Sequence, residues 1–332
     1  MAQFDATAST EDEVRAGSLV LSVFENPLNA RILRAHAAGP LRLNELQDKL
    51  GWPAQTTVRA AVSGLRAFGA LSKETVGRSP YAVATALTPA GEEMLFVADE
   101  VEAWLALCPD GPIAAESEEA RGAVKALAGG WSSTLMRALA NRPFTLTELD
   151  SLIPDVNYPA LERRISWMRT TGQIEPAEKE GRATPYIVTD WLRRAIAPLC
   201  AAGRCERRHM EAESGPITDV EVEASFLLAV PLAPLPGNAG GTCMLAVQTD
   251  PVEPDRGNPE LAGVTIEVER GRVLACAPQL HAEPPTWAVG APETWLDVVI
   301  DGRIGDLRVG GANPQLALDL LSGLHFALFA DR

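Results

Sequence analysis

The sequence has no apolar run near the ~20 residues needed to cross a bilayer as a helix, which excludes a membrane partner of that kind. Its opening stretch, MAQFDATASTEDEVR, lacks the basic-then-apolar order of a secretory leader. Cysteine is scarce, five in 332 residues, and an odd, sparse set makes no disulfide framework. A cytoplasmic location is therefore expected. The four histidines, His36, His209, His281 and His325, are scattered. No HExxH, P-loop, GxSxG or CxxC motif occurs, and no nucleophile or acid–base constellation is visible, so neither catalysis nor a cofactor is expected. Aromatic residues make up only 5% of the chain. Positive charge is also short: 29 basic against 44 acidic residues leave a net −15, which taken whole argues against a nucleic-acid partner. What is present is an ordinary globular share of hydrophobic residues, 46%, in a chain long enough for two or three domains.

The charge is not evenly spread. Residues 26–95 and 131–210 each carry a net +3, whereas 1–25 carry −4, 96–130 carry −5 and 211–332 carry −12. Two mildly basic blocks therefore alternate with acidic ones.

The two basic blocks repeat each other. Pro40-Leu41-Arg42-Leu43-Asn44-Glu45-Leu46 corresponds to Pro143-Phe144-Thr145-Leu146-Thr147-Glu148-Leu149, 103 residues further on. At the same offset Val58, Val62, Leu65 and Gly69 correspond to Leu161, Ile165, Met168 and Gly172. Gly77-Arg78-Ser79-Pro80-Tyr81 is answered, after one inserted residue, by Gly181-Arg182-Ala183-Thr184-Pro185-Tyr186. The period is too long for a solenoid, so each copy is expected to be a small domain.

Each copy has the same local grammar. Residues 28–38 place Leu28, Ile32 and Ala35 on one helical face, and Gly39-Pro40 ends that helix. Asn44 is expected to cap a short helix to Leu50, which Gly51-Trp52-Pro53 breaks. A third helix over 54–68 buries Val58, Val62 and Leu65, and two strands follow around Gly77. The second copy predicts helices over 132–140, 147–152 and 158–170, then a hairpin around Gly181. Longer helices over 88–107 and 189–209 follow the hairpins as packing surfaces, through Met94, Val97, Val101 and Trp104 in one and Trp191, Ile196 and Leu199 in the other. Three helices and a hairpin are the order of a winged helix-turn-helix. The segment 39–46, the step Gly69-Ala70-Leu71 and the segment Leu87-Thr88-Pro89-Ala90-Gly91 resemble the HxlR-type branch of winged-helix regulators. The second copy resembles it through Gly130-Trp131, Leu135, Leu139 and 144–149. The resemblance implies binding to double-stranded DNA, with homodimers as an option. No cysteine precedes Cys108, so the thiol sensing of many such regulators is not carried over.

With Val58, Val62 and Leu65 packed inward, Gln55, Thr56, Arg59 and Ser63 are the candidate groove contacts of the first copy. In the second copy they are Asn157, Tyr158, Arg163, Arg164 and Ser166. Lys73, Arg78, Lys179 and Arg182 fall on or beside the hairpins, where a wing meets phosphate or minor groove. Arg59 corresponds to Glu162, so the copies are expected to read different bases of an asymmetric site, with the two helices about one duplex turn (~34 Å) apart.

After a linker over 211–218, strands are expected at 226–230, 243–248, 263–269 and 273–277, a helix at 294–301, a short strand at Arg308-Val309 and a helix at 314–322. Trp287, Trp295-Leu296-Asp297, Asp301-Gly302, Leu307-Arg308-Val309-Gly310-Gly311 and Leu316 resemble the C-terminal half of sterol-carrier-protein-like domains. That resemblance implies an apolar tunnel for a small hydrophobic ligand, with Phe226, Leu228, Trp287, Trp295, Val299, Leu324 and Phe326 as candidate lining.

Cys200, Cys205 and His209 have a spacing that could place them near one helical face. Gly203 interrupts that helix and no fourth ligand is near, so no metal site is expected. Arg204, Arg207 and Arg208 are placed to depress the Cys205 thiol pKa, which makes Cys205 a candidate redox sensor.

The expected architecture is thus α+β and multidomain: a winged helix-turn-helix domain over 1–110, a linker over 111–130, a second such domain over 131–212, and a sterol-carrier-like domain over 219–332. The expected function is a one-component transcription regulator, its two winged helices acting as a pseudo-dimer on DNA and its last domain sensing a hydrophobic ligand. The alternative is a protein whose winged helices only assemble with partners and whose last domain sequesters an apolar molecule.

Overall fold

The computed structural model describes residues 18–75, 83–129, 132–153, 156–177, 184–210, 216–249 and 260–330. It is a mixed α+β structure whose first two thirds use one arrangement twice. A short α1 (Leu19–Val23) precedes α2 (Pro27–His36), α3 (Leu43–Lys49), α4 (Gln55–Ala67), the hairpin β1 (Leu71–Thr75) and β2 (Val83–Leu87), and the long α5 (Pro89–Ala106). After α6 (Glu118–Ala128) come α7 (Ser132–Asn141), α8 (Leu146–Leu152), α9 (Tyr158–Thr170), the hairpin β3 (Ile174–Pro176) and β4 (Tyr186–Val188), then α10 (Asp190–Arg194) and α11 (Ile196–His209). The bounds of α3 and α4 recur in α8 and α9, 103 residues later. Each hairpin also takes a third, one-residue partner from the turn before the second helix: Leu41 bridges Thr85 and Phe144 bridges Tyr186.

The repeated bounds have local causes. In α8, Thr145 accepts from the Glu148 N–H while the Glu148 carboxylate accepts from the Thr145 N–H at 2.8 Å, a reciprocal cap. In α3, Glu45 likewise accepts from the Arg42 N–H at 2.7 Å, so the helix starts at Leu43 and Asn44 lies inside its first turn rather than capping it. Val58, Ala61 and Leu65 are the buried face of α4, and Leu161, Ile165 and Met168 that of α9. The helix expected over 189–209 divides at Ala195. Pro198 has no N–H to donate to Arg194 four residues back, and the chain re-enters a helix at Ile196.

The two copies meet through α5 and the α10–α11 pair, in contacts that exchange with one another. Thr88 and Thr189 cap α5 and α10, and their offset of 101 sets the local correspondence. The Trp104 indole N–H donates to the Trp191 carbonyl at 2.9 Å. At the corresponding positions, the Cys205 thiol lies 4.0 Å from the Ala90 carbonyl. A contact from the first copy to the second is thus matched by one from the second to the first, as an approximate two-fold relation requires.

His36 shows where the copies diverged. It is buried, its Nδ1 lies 2.8 Å from the Ile32 carbonyl and its Nε2 2.8 Å from the Thr85 hydroxyl. A carbonyl can only accept, so Nδ1 carries the proton and Nε2 accepts from Thr85. Burial holds the ring below the ordinary imidazole value and Lys49 adds to this, against the opposing hydrogen bond to Ile32. A ring kept neutral in the fold but protonated in the unfolded chain contributes fully above its unfolded pKa of ~6.5, and the contribution is lost as the pH falls below it. Unfolding free energy is therefore expected to fall from about pH 7 to about pH 5. His36→Leu, which installs the residue type of the corresponding buried Leu139, should flatten part of that slope. Urea titrations that give both proteins the same pH slope would disprove this.

The last third differs from its expected pattern at its start. Residues 226–230 do not form a strand: α12 (Asp219–Ala229) runs through them and ends in a 3-10 turn, Val230–Leu232. Thr218 and Glu221 form a reciprocal cap at its N-terminus, and Val222, Ala224 and Phe226 through Ala229 are buried around the helix. A short, wholly apolar run has no period that separates strand from helix, and here burial between two layers decides. Five strands follow in one open sheet: β5 (Gly241–Gln248), β6 (Leu261–Glu269), β7 (Arg272–Ala277), β8 (Thr286–Gly290) and, after α13 (Pro292–Asp301), β9 (Arg308–Gly311). Their spatial order is β7-β6-β5-β8-β9, antiparallel except for the parallel β5–β8 pair. Trp287 stands on β8, which is not among the strands expected from the sequence. α14 (Pro314–His325) runs past its expected end and passes into a π-helical turn, Phe326–Ala330. α12, α13 and α14 cover one face of the sheet, and α12 also packs along α7, where Arg137 and Glu223 form an ion pair. The segment read as a linker contains α6, capped by Ser117 and buried through Ala120, Ala123, Val124 and Leu127. One continuous buried cluster runs from Val20 to Leu328.

Candidate functional site

A cavity of about 210 Å³ lies where the second copy meets the last third of the chain. Met136 of α7, Ile196, Leu199, Cys200 and Glu206 of α11, Val222 and Phe226 of α12, Trp295 and Val299 of α13 and Leu324 of α14 are in its wall. That volume is more than ten times the ~10–15 Å³ that holds a single water. The wall is held firmly at one corner, where the Trp295 indole donates to the Ala246 carbonyl at 2.9 Å and its ring meets Phe226 edge-on, with centroids 5.0 Å apart.

Of the expected lining, Phe226, Trp295, Val299 and Leu324 are in this wall. Leu228 is fully buried but outside it. Trp287 packs with Leu280 against Met244, Ala246 and Val289 in a separate small cluster. Its ring lies where a Cβ on Gly310 would stand, 2.5 Å away, so only glycine fits beneath it. Phe326, in the final turn, is 49% exposed and also outside the wall. The contribution of α7 and α11 was not anticipated. It depends on how the second copy docks on α12, and a periodicity internal to either segment carries no record of that.

The other side of α11 is a row of arginines. Arg204 pairs with Glu93 of α5 and with Asp301 of α13, each at 3.0 Å. Arg208 bridges Glu93 at 2.9 Å and Asp297 at 2.6 Å, and Arg207 pairs with Glu293. His209 reaches Glu93 at 2.8 Å. These arginines do not activate Cys205. Burial pushes its thiol up to about 12, Glu93 and Glu206 add to this, and Arg204 and Arg208 oppose it without prevailing. Cys200 is pushed up to about 12 by the same cause. The expected thiolate at Cys205 is therefore replaced by a buried, protonated thiol. Among the described residues no three His, Cys, Asp or Glu side chains are grouped to hold a metal ion.

The candidate groove face is clearest on α4, where Gln55, Thr56, Arg59 and Ser63 are all exposed, with Lys73 exposed on β1. On α9, Tyr158, Arg163 and Ser166 are exposed. Asn157 is exposed too, but its side chain accepts from the Ala160 N–H at 3.0 Å and so caps the helix. Arg164, expected at the groove, instead turns back onto α6, where its guanidinium meets the Ala126 carbonyl, and burial lowers its pKa to about 10. Trp167 lies across Gly122 of α6, close enough that a Cβ there would meet its ring at 2.4 Å. Ser117 followed by Glu118-Glu119 was the available sign of this helix, a capping residue before an acidic first turn. Arg78, Lys179 and Arg182 lie outside the described residues. No helix among the described residues is long and apolar enough to cross a membrane. No protein-family model and no curated protein matches this chain.

Proposed function

We propose that the chain is a one-component, DNA-binding transcription regulator in which two winged helices act as a pseudo-dimer and the cavity receives a small hydrophobic ligand. The observation that carries this reading is the duplicated three-helix-and-hairpin unit with exchanged contacts across α5 and α11. The exposed polar face of α4 supplies groove chemistry, and the hairpin beside it would be a wing. α9 offers a smaller face because α6 covers its Arg164 side, so the first copy is the stronger reader. The cavity wall is shared between α7 and α11 of the second copy and α12, α13 and α14 of the last third. A ligand that prefers one spacing of these walls biases the arrangement of the DNA-reading units, which is the differential contact that coupling requires.

The test is fluorescence anisotropy on DNA from upstream of the coding sequence, over a series of salt concentrations. Affinity is expected to fall as salt rises, and a log–log slope near zero would remove the phosphate contacts proposed. Arg59→Ala is expected to weaken binding by about 1–3 kcal/mol and to relax discrimination at one base position. Arg164→Ala should leave DNA affinity nearly unchanged. The second reading, assembly without DNA, draws on the covering of α9. It predicts no salt-dependent binding and no effect of Arg59→Ala.

A further inference from the structure

The turn between α3 and α4 carries a tryptophan in a backbone position that disfavours it. Trp52 is 66% exposed, and its φ of 60° lies in the left-handed region. A residue with a Cβ is strained there, and a bulky one is a genuine outlier. Pro53 follows, and the residue before a proline is pushed toward extended backbone instead. Two local preferences are thus opposed at one position.

The end of α3 holds that strain in place. The Gly51 N–H donates to the Asp48 carbonyl at 3.1 Å and the Trp52 N–H to the Gln47 carbonyl at 2.8 Å, the paired closure of a helix whose next residue, Gly51, takes φ 78°. The buried Gln47 also donates from its side-chain amide to the Pro53 carbonyl at 3.2 Å. The turn is therefore fixed on both sides of Trp52. The ring is tied by its own N–H, which donates to the Asp48 carboxylate at 3.2 Å. Glycine or asparagine would suit this backbone better. A ring that stays mostly in solvent offsets little of the strain by burial, which is the pattern of a residue kept for contact outside the fold.

The neighbouring surface indicates the partner. From Trp52 the exposed chain continues through Ala54, Gln55, Thr56 and Thr57 to Arg59, the candidate groove face of α4. A recognition helix enters the major groove by its N-terminal residues, so a side chain just ahead of that end meets the groove wall, where deoxyribose offers apolar surface between phosphates. We propose that Trp52 is a DNA-contact residue whose ring packs against the sugars of one strand where α4 enters the groove. The inference rests on the reading of α4 as a groove helix. Such a contact positions the helix and carries no sequence information of its own. The repeat has an aspartate, Asp155, at the corresponding position of the second copy, so the contact belongs to the first copy.

Fluorescence anisotropy of the full chain on the upstream DNA over a salt series, run beside urea denaturation, tests it. Trp52→Asn and Trp52→Gly are expected to weaken binding about tenfold, the scale of leaving ~60 Å² of apolar ring surface uncovered. The log–log salt slope should stay that of the parent chain, because a sugar contact releases no counterion. Both variants should match or raise the urea midpoint, since asparagine and glycine take the left-handed backbone with less strain. Trp52→Phe keeps a ring and should keep most of the affinity. Unchanged affinity in the asparagine and glycine variants, with Arg59→Ala still weakened, would overturn the contact and leave α4 as a groove helix. A lowered urea midpoint would show that the ring serves the fold, and would overturn it too. Absence of salt-dependent binding by the parent chain would remove the contact and the DNA-binding reading together.

Discussion

Trp104→Ala is expected to destabilise the chain by about 3–5 kcal/mol, the range for removing a large aromatic side chain from a core. Trp104 is fully buried on α5 and stacks on Trp191 of α10, with centroids 4.6 Å apart and planes within 8°. The two rings are also tied by reciprocal bonds: each indole N–H donates to the other residue's backbone carbonyl, at 2.9 Å from Trp104 and 2.8 Å from Trp191. Truncation therefore opens a cavity and leaves the buried Trp191 carbonyl without its donor, a further cost of about 1–3 kcal/mol if no water replaces it. Trp104→Phe retains most of the packing and loses the donor, so it should cost less than the alanine variant. Urea denaturation with a common slope separates the two. A loss below about 1 kcal/mol for Trp104→Ala would mean that this stack does not join the copies.

Arg204→Ala is expected to cost about 2–3 kcal/mol, partly for an electrostatic reason. Its side chain is only 11% exposed and stands between Glu93, itself 10% exposed, and Asp301. Removing one member of such a buried group costs more than the intact pair contributes, because the charge left behind is less well compensated. Glu93 keeps Arg208 and His209 and Asp301 is a third exposed, so the penalty falls chiefly on the lost packing of the guanidinium over Phe96 and on the weakened pairing of the buried Glu93. A double-mutant cycle with Glu93→Ala gives the coupling directly, and more than about 1 kcal/mol is expected. Additive single effects would show that the arginine row only decorates α11.

Much of the duplicated part was legible because its signals are local. Glu45 and Glu148 sit at the third position of their helices, glycine follows α4 and α9, and apolar residues recur at helical spacing, so the bounds of α4 and α9 could be read from side-chain order alone. The parts that were not legible depend on contacts between distant segments. Phe226 through Ala229 have the composition of a strand and become helical because a capping box starts them and both sides are covered. Arg164 has the spacing of a groove contact, and α6, more than thirty residues earlier in the chain, takes it. The arginines near Cys205 looked like activators, but carboxylates from α5 and α13 already engage them. The cavity draws one wall from each of two regions whose docking no internal pattern records.

The exchanged contacts across α5 and α11 have a consequence for how the protein behaves on dilution. On the proposed reading, a single-unit regulator would have to find a second copy of itself before two helices could face one duplex, an encounter that weakens with every fold of dilution. Here the second unit is carried on the same chain, so its effective concentration is fixed by covalent connection rather than by the amount of protein present. The corresponding positions have drifted apart, with tryptophan at 104 facing 191 where cysteine at 205 faces alanine at 90, so the junction is built differently on its two sides. On that reading the pair of units is in effect a dimer with no dissociation constant, assembled whatever the amount of protein present.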